Sequence, residues 1–350
     1  MIPKHLIRRL SRDRVPISAT IELTHHCNWR CVHCFVVNAE AVPCAELTTE
    51  EVQRVLGELH DLGSFFLCLT GGECLLRADF VDIVRCAADL GFAISISSNA
   101  SLVTESLADE LVAAHVIEFQ CSLLGATPEV HDGITGIAGS HAAAWRGIDI
   151  LRDKGINVFP KTPVMNRNFD DLEQIREQTK RYGLLWMTSC LLFPRWQGDR
   201  EIAKLRIGDE QMAELFRMQI RWSEEENLDH DEDRVPDEEA TSQCGAGVST
   251  VTIEADGSVT PCQAYPTSAG NIREAALSEI WRQGAVFEEL RTTYDQACTS
   301  ADYDGPGANW LCPLFELREA GQGEGGAEEL LRFNRIRLSQ IGEDQGSARK

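Results

Sequence analysis

From Ile17 to Leu192 the chain repeats one local pattern: a short apolar run rich in β-branched residues, then a longer amphipathic stretch. The runs at Ile17–Thr24, Phe65–Thr70, Phe92–Ser97, Val116–Leu123, Ile156–Val164 and Leu184–Leu192 read as six strands. Between them the sequence predicts helices. The first opens on Thr48-Thr49-Glu50-Glu51, a capping hydroxyl followed by first-turn carboxylates, and runs to about Leu62. Others are predicted at Leu75–Leu90, Thr104–Ala114, Ser140–Lys154 and Asp170–Tyr182, and Gly63, Gly91 and Gly155 each close one of the set. Strands alternating with helices specify βαβ units and a parallel sheet. Six such units suit an α/β fold of partial (β/α)6 TIM-type barrel, open on one side. Chemistry in such barrels sits on loops at the C-terminal ends of the strands.

The first of those loops carries Cys27-Asn28-Trp29-Arg30-Cys31-Val32-His33-Cys34. Three thiols this close together can converge on one centre, and soft thiolates select iron–sulfur clusters, zinc or Cu(I). A closed zinc site or an ordinary 4Fe–4S cluster takes four ligands, whereas this loop offers three sulfurs. A cluster held by three leaves one iron open to a substrate or cofactor.

Beyond Leu192 the alternation stops. An arm at residues 1–16 precedes the barrel, drawn at 17–205. An acidic helix (Asp209 to Glu226) and a charged linker occupy 206–242. A small cysteine-rich α+β domain is drawn at 243–320, and a C-terminal helix and tail at 321–350. A formal charge of −22 argues against nucleic acid as a partner, since phosphate binding needs basic patches. No window of about twenty apolar residues exists to span a membrane, and the N-terminus lacks the apolar core of a secretory signal, so a cytoplasmic location is expected. Thirteen cysteines in a reducing compartment point to metal binding or catalysis rather than disulfides.

The cysteine loop resembles the CxxxCx(aromatic)C signature of the radical S-adenosylmethionine (SAM) superfamily, with His33 in the aromatic slot. The resemblance implies that Cys27, Cys31 and Cys34 hold a 4Fe–4S cluster whose open iron chelates SAM. The second strand ends in Thr70-Gly71-Gly72-Glu73, similar to the family's GGE motif, which implies that Gly71, Gly72 and Glu73 bind the amino group of SAM. Read as residues alone, paired glycines leave backbone accessible to a ligand, and the competing reading is an ordinary tight turn. By the same resemblance Ser97 and Asn99, at the end of the third strand, hydrogen-bond the ribose. Ser122-Leu123-Leu124-Gly125-Ala126, followed by His131-Asp132, is similar to the "SLDGA…HD" stretch of radical SAM peptide and protein maturases, with Leu124 where many relatives carry Asp. Lys161 is expected to point into the barrel mouth toward a carboxylate. Cys74, directly after Glu73 and so near the SAM pocket, is a candidate hydrogen-atom donor, as is Cys190, with core packing as the favoured reading. Cys68, Cys86 and Cys121 are expected in the core.

Cys244, then Gly257 after twelve residues, then Cys262 after four more, resembles the opening of SPASM and twitch domains, which hold auxiliary iron–sulfur clusters. Cys298 and Cys312 complete a set of four. That count implies one auxiliary 4Fe–4S cluster in a reduced, twitch-like domain, with a structural zinc as the alternative. The intervening segment reads as a hairpin turning at Asp256-Gly257.

Taken together, the resemblance implies an enzyme that reductively cleaves SAM and abstracts a hydrogen atom. The substrate expected is a ribosomally made peptide, to be crosslinked, epimerised or oxidised, with an external flavodoxin- or ferredoxin-like electron donor. No separate leader-binding domain fits in the first sixteen residues, so leader recognition is expected from the body of the protein or from a second protein. The alternatives are radical oxidation or decarboxylation of a small metabolite, such as an aminocyclitol or tetrapyrrole, and a non-catalytic zinc-binding scaffold.

Overall fold

The computed structural model describes residues 13–35, 45–193, 200–225, 245–265, 267–297 and a few positions between 332 and 340. The expectations for Cys244, Cys298 and Cys312, for most of the N-terminal arm, and for the 226–242 linker fall outside the described residues.

The chain runs β1 (Ser18–Glu22), α1 (Thr49–Asp61), β2 (Phe66–Thr70), α2 (Phe80–Asp89), β3 (Ala93–Ser98), α3 (Glu105–Ala113), β4 (Glu118–Ser122), α4 (Pro128–Thr135), α5 (Ser140–Asp153), β5 (Val158–Pro163), α6 (Leu172–Arg181) and β6 (Met187–Ser189). It continues with α7 (Asp209–Glu225), β7 (Thr250–Ile253), β8 (Ser258–Thr260), β9 (Gly270–Asn271), α8 (Leu277–Gln283) and α9 (Ala285–Ala297). The six parallel strands lie in chain order, as the alternation predicts. The capping box foreseen at Thr48 and Glu51 is present.

Strand parity divides the sheet into two faces. Ala19, Ile21, Leu67, Leu69, Ile94, Ile96, Phe119, Cys121 and Val158 are buried in one core with the apolar stripes of the helices. The alternate positions turn to the inner face. Thr20, Cys68, Ser95 and Glu118 lie side by side in register there, and so do Ser97, Gln120 and Phe159. Cys68 therefore stands opposite the core in which the sequence expected it, whereas Cys121 is in that core.

Two elements depart from expectation. The segment 75–90 is not one helix: a short 3-10 turn at Cys74–Leu76 precedes α2. The stretch after Ala126 forms α4, opened by the Thr127 hydroxyl and Pro128 and closed by Gly136 at φ +70°.

The boundary drawn at residue 243 is also crossed by the sheet. β7 pairs in parallel with the free edge of β1, Ser18 opposite Thr250 and Ile21 opposite Ile253, and β8 and β9 extend it antiparallel. Nine strands make one sheet, and residues 1–205 and 246–290 form one compact unit. The turn at Gly257, φ +87°, is the hairpin anticipated from Asp256-Gly257. Arg273 fastens this segment to α1, meeting both carboxylate oxygens of Glu51 at 2.6 and 2.8 Å and holding that carboxyl down to about 2. The second unit, 206–245 and 291–350, contains α7, which buries Met212, Leu215, Phe216, Met218 and Trp222. Among the described residues no helix is long and apolar enough to cross a membrane.

At the C-terminal end of the β1–β7 pair two carboxylates share the inner face. Burial pushes Glu22 up to about 7, against a hydrogen bond from Gln263 Nε2 at 3.0 Å. Burial also raises Glu254, to about 8, with the Glu22 charge adding to it. The two titrate as a pair holding a proton near neutrality. Because the folded carboxyls bind protons more tightly than the unfolded ones, which titrate near 4.5, the pair's contribution to stability is fully present below about 4.5 and is lost as pH rises to about 8. Glu22→Gln is expected to flatten that slope and to raise stability at pH 8 by about 2 to 3 kcal/mol, read from melting temperatures across pH.

Candidate active site

The cysteine loop leaves β1 through Leu23, Thr24, His25 and His26, and the turn after β2 is bonded along these residues. Gly72 N donates to Thr24 O at 2.7 Å, and Glu73 N to His26 O at 2.8 Å. A Cβ on Gly71 would lie 2.5 Å from Thr24 O, and one on Gly72 2.4 Å from His26 O. The two glycines are thus required by the approach of one protein segment to another, a reason that the motif alone does not disclose.

Glu73 is fully buried. Its Oε1 accepts from Ser98 Oγ at 2.7 Å and Leu75 N at 3.0 Å, and its Oε2 accepts from Asn99 N at 2.7 Å. Burial raises its proton affinity against the pull of these donors. The carboxylate clamps the β2 turn to the end of β3. Asn99 continues the tie: its carbonyl oxygen accepts from Ser101 N and Oγ, and its Nδ2 donates to Asn28 Oδ1 at 2.7 Å. Glu73, Asn99 and Asn28 therefore link the GGE turn, the β3 end and the cysteine loop into one hydrogen-bonded chain.

Within the loop, Cys27 and Cys31 are partly buried and Cys34 is exposed. Burial pushes the Cys27 and Cys31 thiols up; Cys27 rises further through Glu73 and Cys34, and Cys31 through Cys34 and Cys27. Three thiols that sense one another in this way are stabilised as thiolates by a cationic metal centre. Three soft thiolates offered by one short loop fit an iron–sulfur cluster, whose ligands bind different irons. His33, in the aromatic slot, has a buried Nδ1 without a hydrogen-bond partner among the described residues, and burial lowers its pKa to about 4, leaving the ring neutral.

Ser97 faces the inner side of the sheet, and so does Lys161, whose Nζ donates to Gln120 while Gln120 Nε2 donates to Glu118. Cys74 does not reach this surface. It is 0% exposed within the main core, its thiol directed to Ser97 O at 3.7 Å, and burial drives its pKa well above the usual range. A hydrogen-atom donor must meet its substrate, so Cys74 is a packing residue and that candidacy is withdrawn. Cys68, on the inner face beside Ser95, is the cysteine that the sequence reading misplaced. Leu124, where many relatives carry Asp, is buried in an apolar cluster with Trp29, Ile134 and Met165.

Comparison with known families decides what this site belongs to. The Radical SAM superfamily model matches residues 21–179, and the SPASM model, an iron–sulfur cluster-binding domain, matches 244–301. The AdoMet-dependent heme synthase of Methanosarcina barkeri is 30% identical over 290 residues, 77% of this chain and 83% of that protein. The chain belongs to the radical SAM superfamily. As a radical SAM enzyme with a SPASM domain, it uses SAM, a 4Fe–4S cluster on the first domain and auxiliary cluster chemistry on the second. Mycofactocin maturase MftC of Mycobacterium tuberculosis is 29% identical over 290 residues, 79% of this chain and 73% of that one. Among solved structures, anSMEcpe with bound AdoMet superposes with a TM-score of 0.71 at 14% identity, covering 93% of this radical SAM chain and 98% of its own, a likeness of fold.

Proposed function

We propose that this radical SAM enzyme modifies a ribosomally made peptide by crosslinking, epimerisation or oxidation. The observation that carries the reading is the inner face of the sheet. Thr20, Glu22, Cys68, Ser95, Ser97, Glu118, Gln120 and Lys161 line it, with Phe66 and Phe159 as its aromatic members. A peptide backbone needs donors and acceptors along its length, which this surface supplies. A flat macrocycle calls for apolar walls. The likeness to the maturase MftC supports the same substrate class.

Cys27, Cys31 and Cys34 would hold the 4Fe–4S cluster, which would supply the electron for reductive cleavage of SAM and so for hydrogen-atom abstraction from an unactivated C–H bond. The residues of the chain position and enclose. Gly71 and Gly72 set the turn against the cysteine loop, Glu73 and Asn99 hold that turn and the β3 end in register, and Ser97 offers a hydroxyl toward the ribose. Lys161 presents a cation to a carboxylate at the barrel mouth. Cys244, Cys262, Cys298 and Cys312 are read as the ligands of one auxiliary 4Fe–4S cluster of the twitch type, and the protein as a cytoplasmic oxidoreductase served by a flavodoxin- or ferredoxin-like donor.

A second reading, decarboxylation of a carboxylated tetrapyrrole, is favoured by the 30% identity to the heme synthase. The two are separated by turnover with dithionite and SAM. A short peptide encoded beside the gene is expected to raise 5′-deoxyadenosine formation and to emerge with a changed mass. Stimulation by a carboxylated porphyrin alone, with loss of carbon dioxide, would install the second reading instead.

A further inference from the structure

We propose that His131 is a positioning residue for the cluster loop, fixing Trp29 directly and, through the end of α4, the backbone on either side of Cys31. The inference rests on Cys27, Cys31 and Cys34 being the cluster ligands.

The last carbonyls of a helix find no partner within it. In α4 the cysteine loop supplies the partners: Arg30 N donates to Thr135 O at 2.8 Å and Val32 N to Ile134 O at 3.0 Å. Those amides flank Cys31, so the middle ligand hangs between two bonds to one helix end. The seat is close, for a Cβ on Gly136 would come within 3.3 Å of Arg30 O.

One turn back on the same helix, the His131 ring meets the Trp29 ring edge to face, centroids 5.4 Å apart and planes at 90°. Both rings are buried, His131 at 0% and Trp29 at 4% exposure. His131 is held in turn, with Nδ1 3.1 Å from Ser140 Oγ, which also lies 2.7 Å from Thr135 Oγ and donates to Asp132 at 2.8 Å. Asp132 further accepts from Gly139 N and His141 N, closing the α4–α5 connection. The imidazole thus transmits the position of a rigid helix pair to the residue two places after Cys27. Its ring also meets His141 edge to face, centroids 5.4 Å apart, and lies against the Ser122 backbone at the end of β4, so it ties the loop to the helix pair and to the sheet.

The test uses the full chain, reconstituted anaerobically, as wild type, His131→Ala, His131→Phe and Trp29→Ala. Two readouts bear on the loop: the rate at which an iron chelator strips the protein, and the change that SAM produces in the electron paramagnetic resonance spectrum of the reduced protein. The second belongs to the cluster with the open iron alone. His131→Ala is expected to lose iron roughly tenfold faster and to show a weakened SAM-dependent change. Trp29→Ala is expected to match it, the double variant to be no worse than either single one, and His131→Phe, which keeps the ring contact, to restore both readouts. Should His131→Ala not fold, His131→Asn, which loses the ring but keeps a polar group for Ser140, replaces it. A lowered melting temperature with iron loss and spectrum as in wild type would reduce His131 to a packing residue and overturn the proposal. A wild-type spectrum that SAM leaves unchanged would overturn the ligand assignment beneath it.

Discussion

Cys31→Ala is expected to abolish formation of 5′-deoxyadenosine and to lower bound iron from about eight to about four atoms per chain. Two thiolates cannot retain a cluster that three held with one iron left open, and Cys31 lies between the bonds that seat the loop on α4. Iron and sulfide analysis gives the count, and chromatography of the nucleoside gives the activity. Cys262→Ala is the matching control. It is expected to lose the other four irons while SAM cleavage continues, because its thiol belongs to the second motif. Equal iron in Cys31→Ala and wild type would sink the ligand assignment, and zinc in place of iron in both proteins would point to a scaffold.

The second large effect is expected at Glu73. Glu73→Ala leaves Ser98 Oγ, Leu75 N and Asn99 N without their acceptor in a fully buried setting. An unmet buried donor costs about 1 to 3 kcal/mol, so a loss of at least about 3 kcal/mol is expected for the three together. Calorimetry or thermal melting of the reconstituted protein reads that loss. SAM affinity is expected to fall with it, since the carboxylate sets both the β2 turn and the β3 end. Glu73→Gln keeps one acceptor but turns an amide nitrogen toward a donor, and an intermediate loss is expected. A Glu73→Ala protein that melts like wild type yet fails to bind SAM would show a direct ligand contact instead of a clamp.

The sheet, its helices and the cysteine loop were readable because each rests on local signals: period-two apolar runs, capping residues, glycine stops and close thiol spacing. The GGE turn was located correctly, while the reason for its glycines lay in contacts with Thr24 and His26 that no spacing discloses. Cys68 lies opposite the core in which its strand pattern puts it. In a buried parallel strand both faces read as apolar, so parity had to come from Leu67 and Leu69, whose burial only the packing of helices on one face reveals. α4 carries its own end signals, Thr127-Pro128 and Gly136, but at 8 residues it is too short to show the helical period that marks the longer helices. The β1–β7 pairing has no local signal at all.

That pairing bears on how the molecule is made. Glu22 and Gln263, hydrogen-bonded neighbours, are 241 residues apart along the chain. As the polypeptide leaves the ribosome, β2 can dock on one side of β1 early, but the other side waits until Thr250–Ile253 has emerged. β1 is therefore enclosed on that side only long after it is made, and for that interval the nascent sheet displays an unprotected edge of a kind that invites pairing with other chains. Gene truncations that stop after the sixth strand would make the interval permanent, so the minimal folding piece of this enzyme extends through its hairpin and not merely to the end of its barrel.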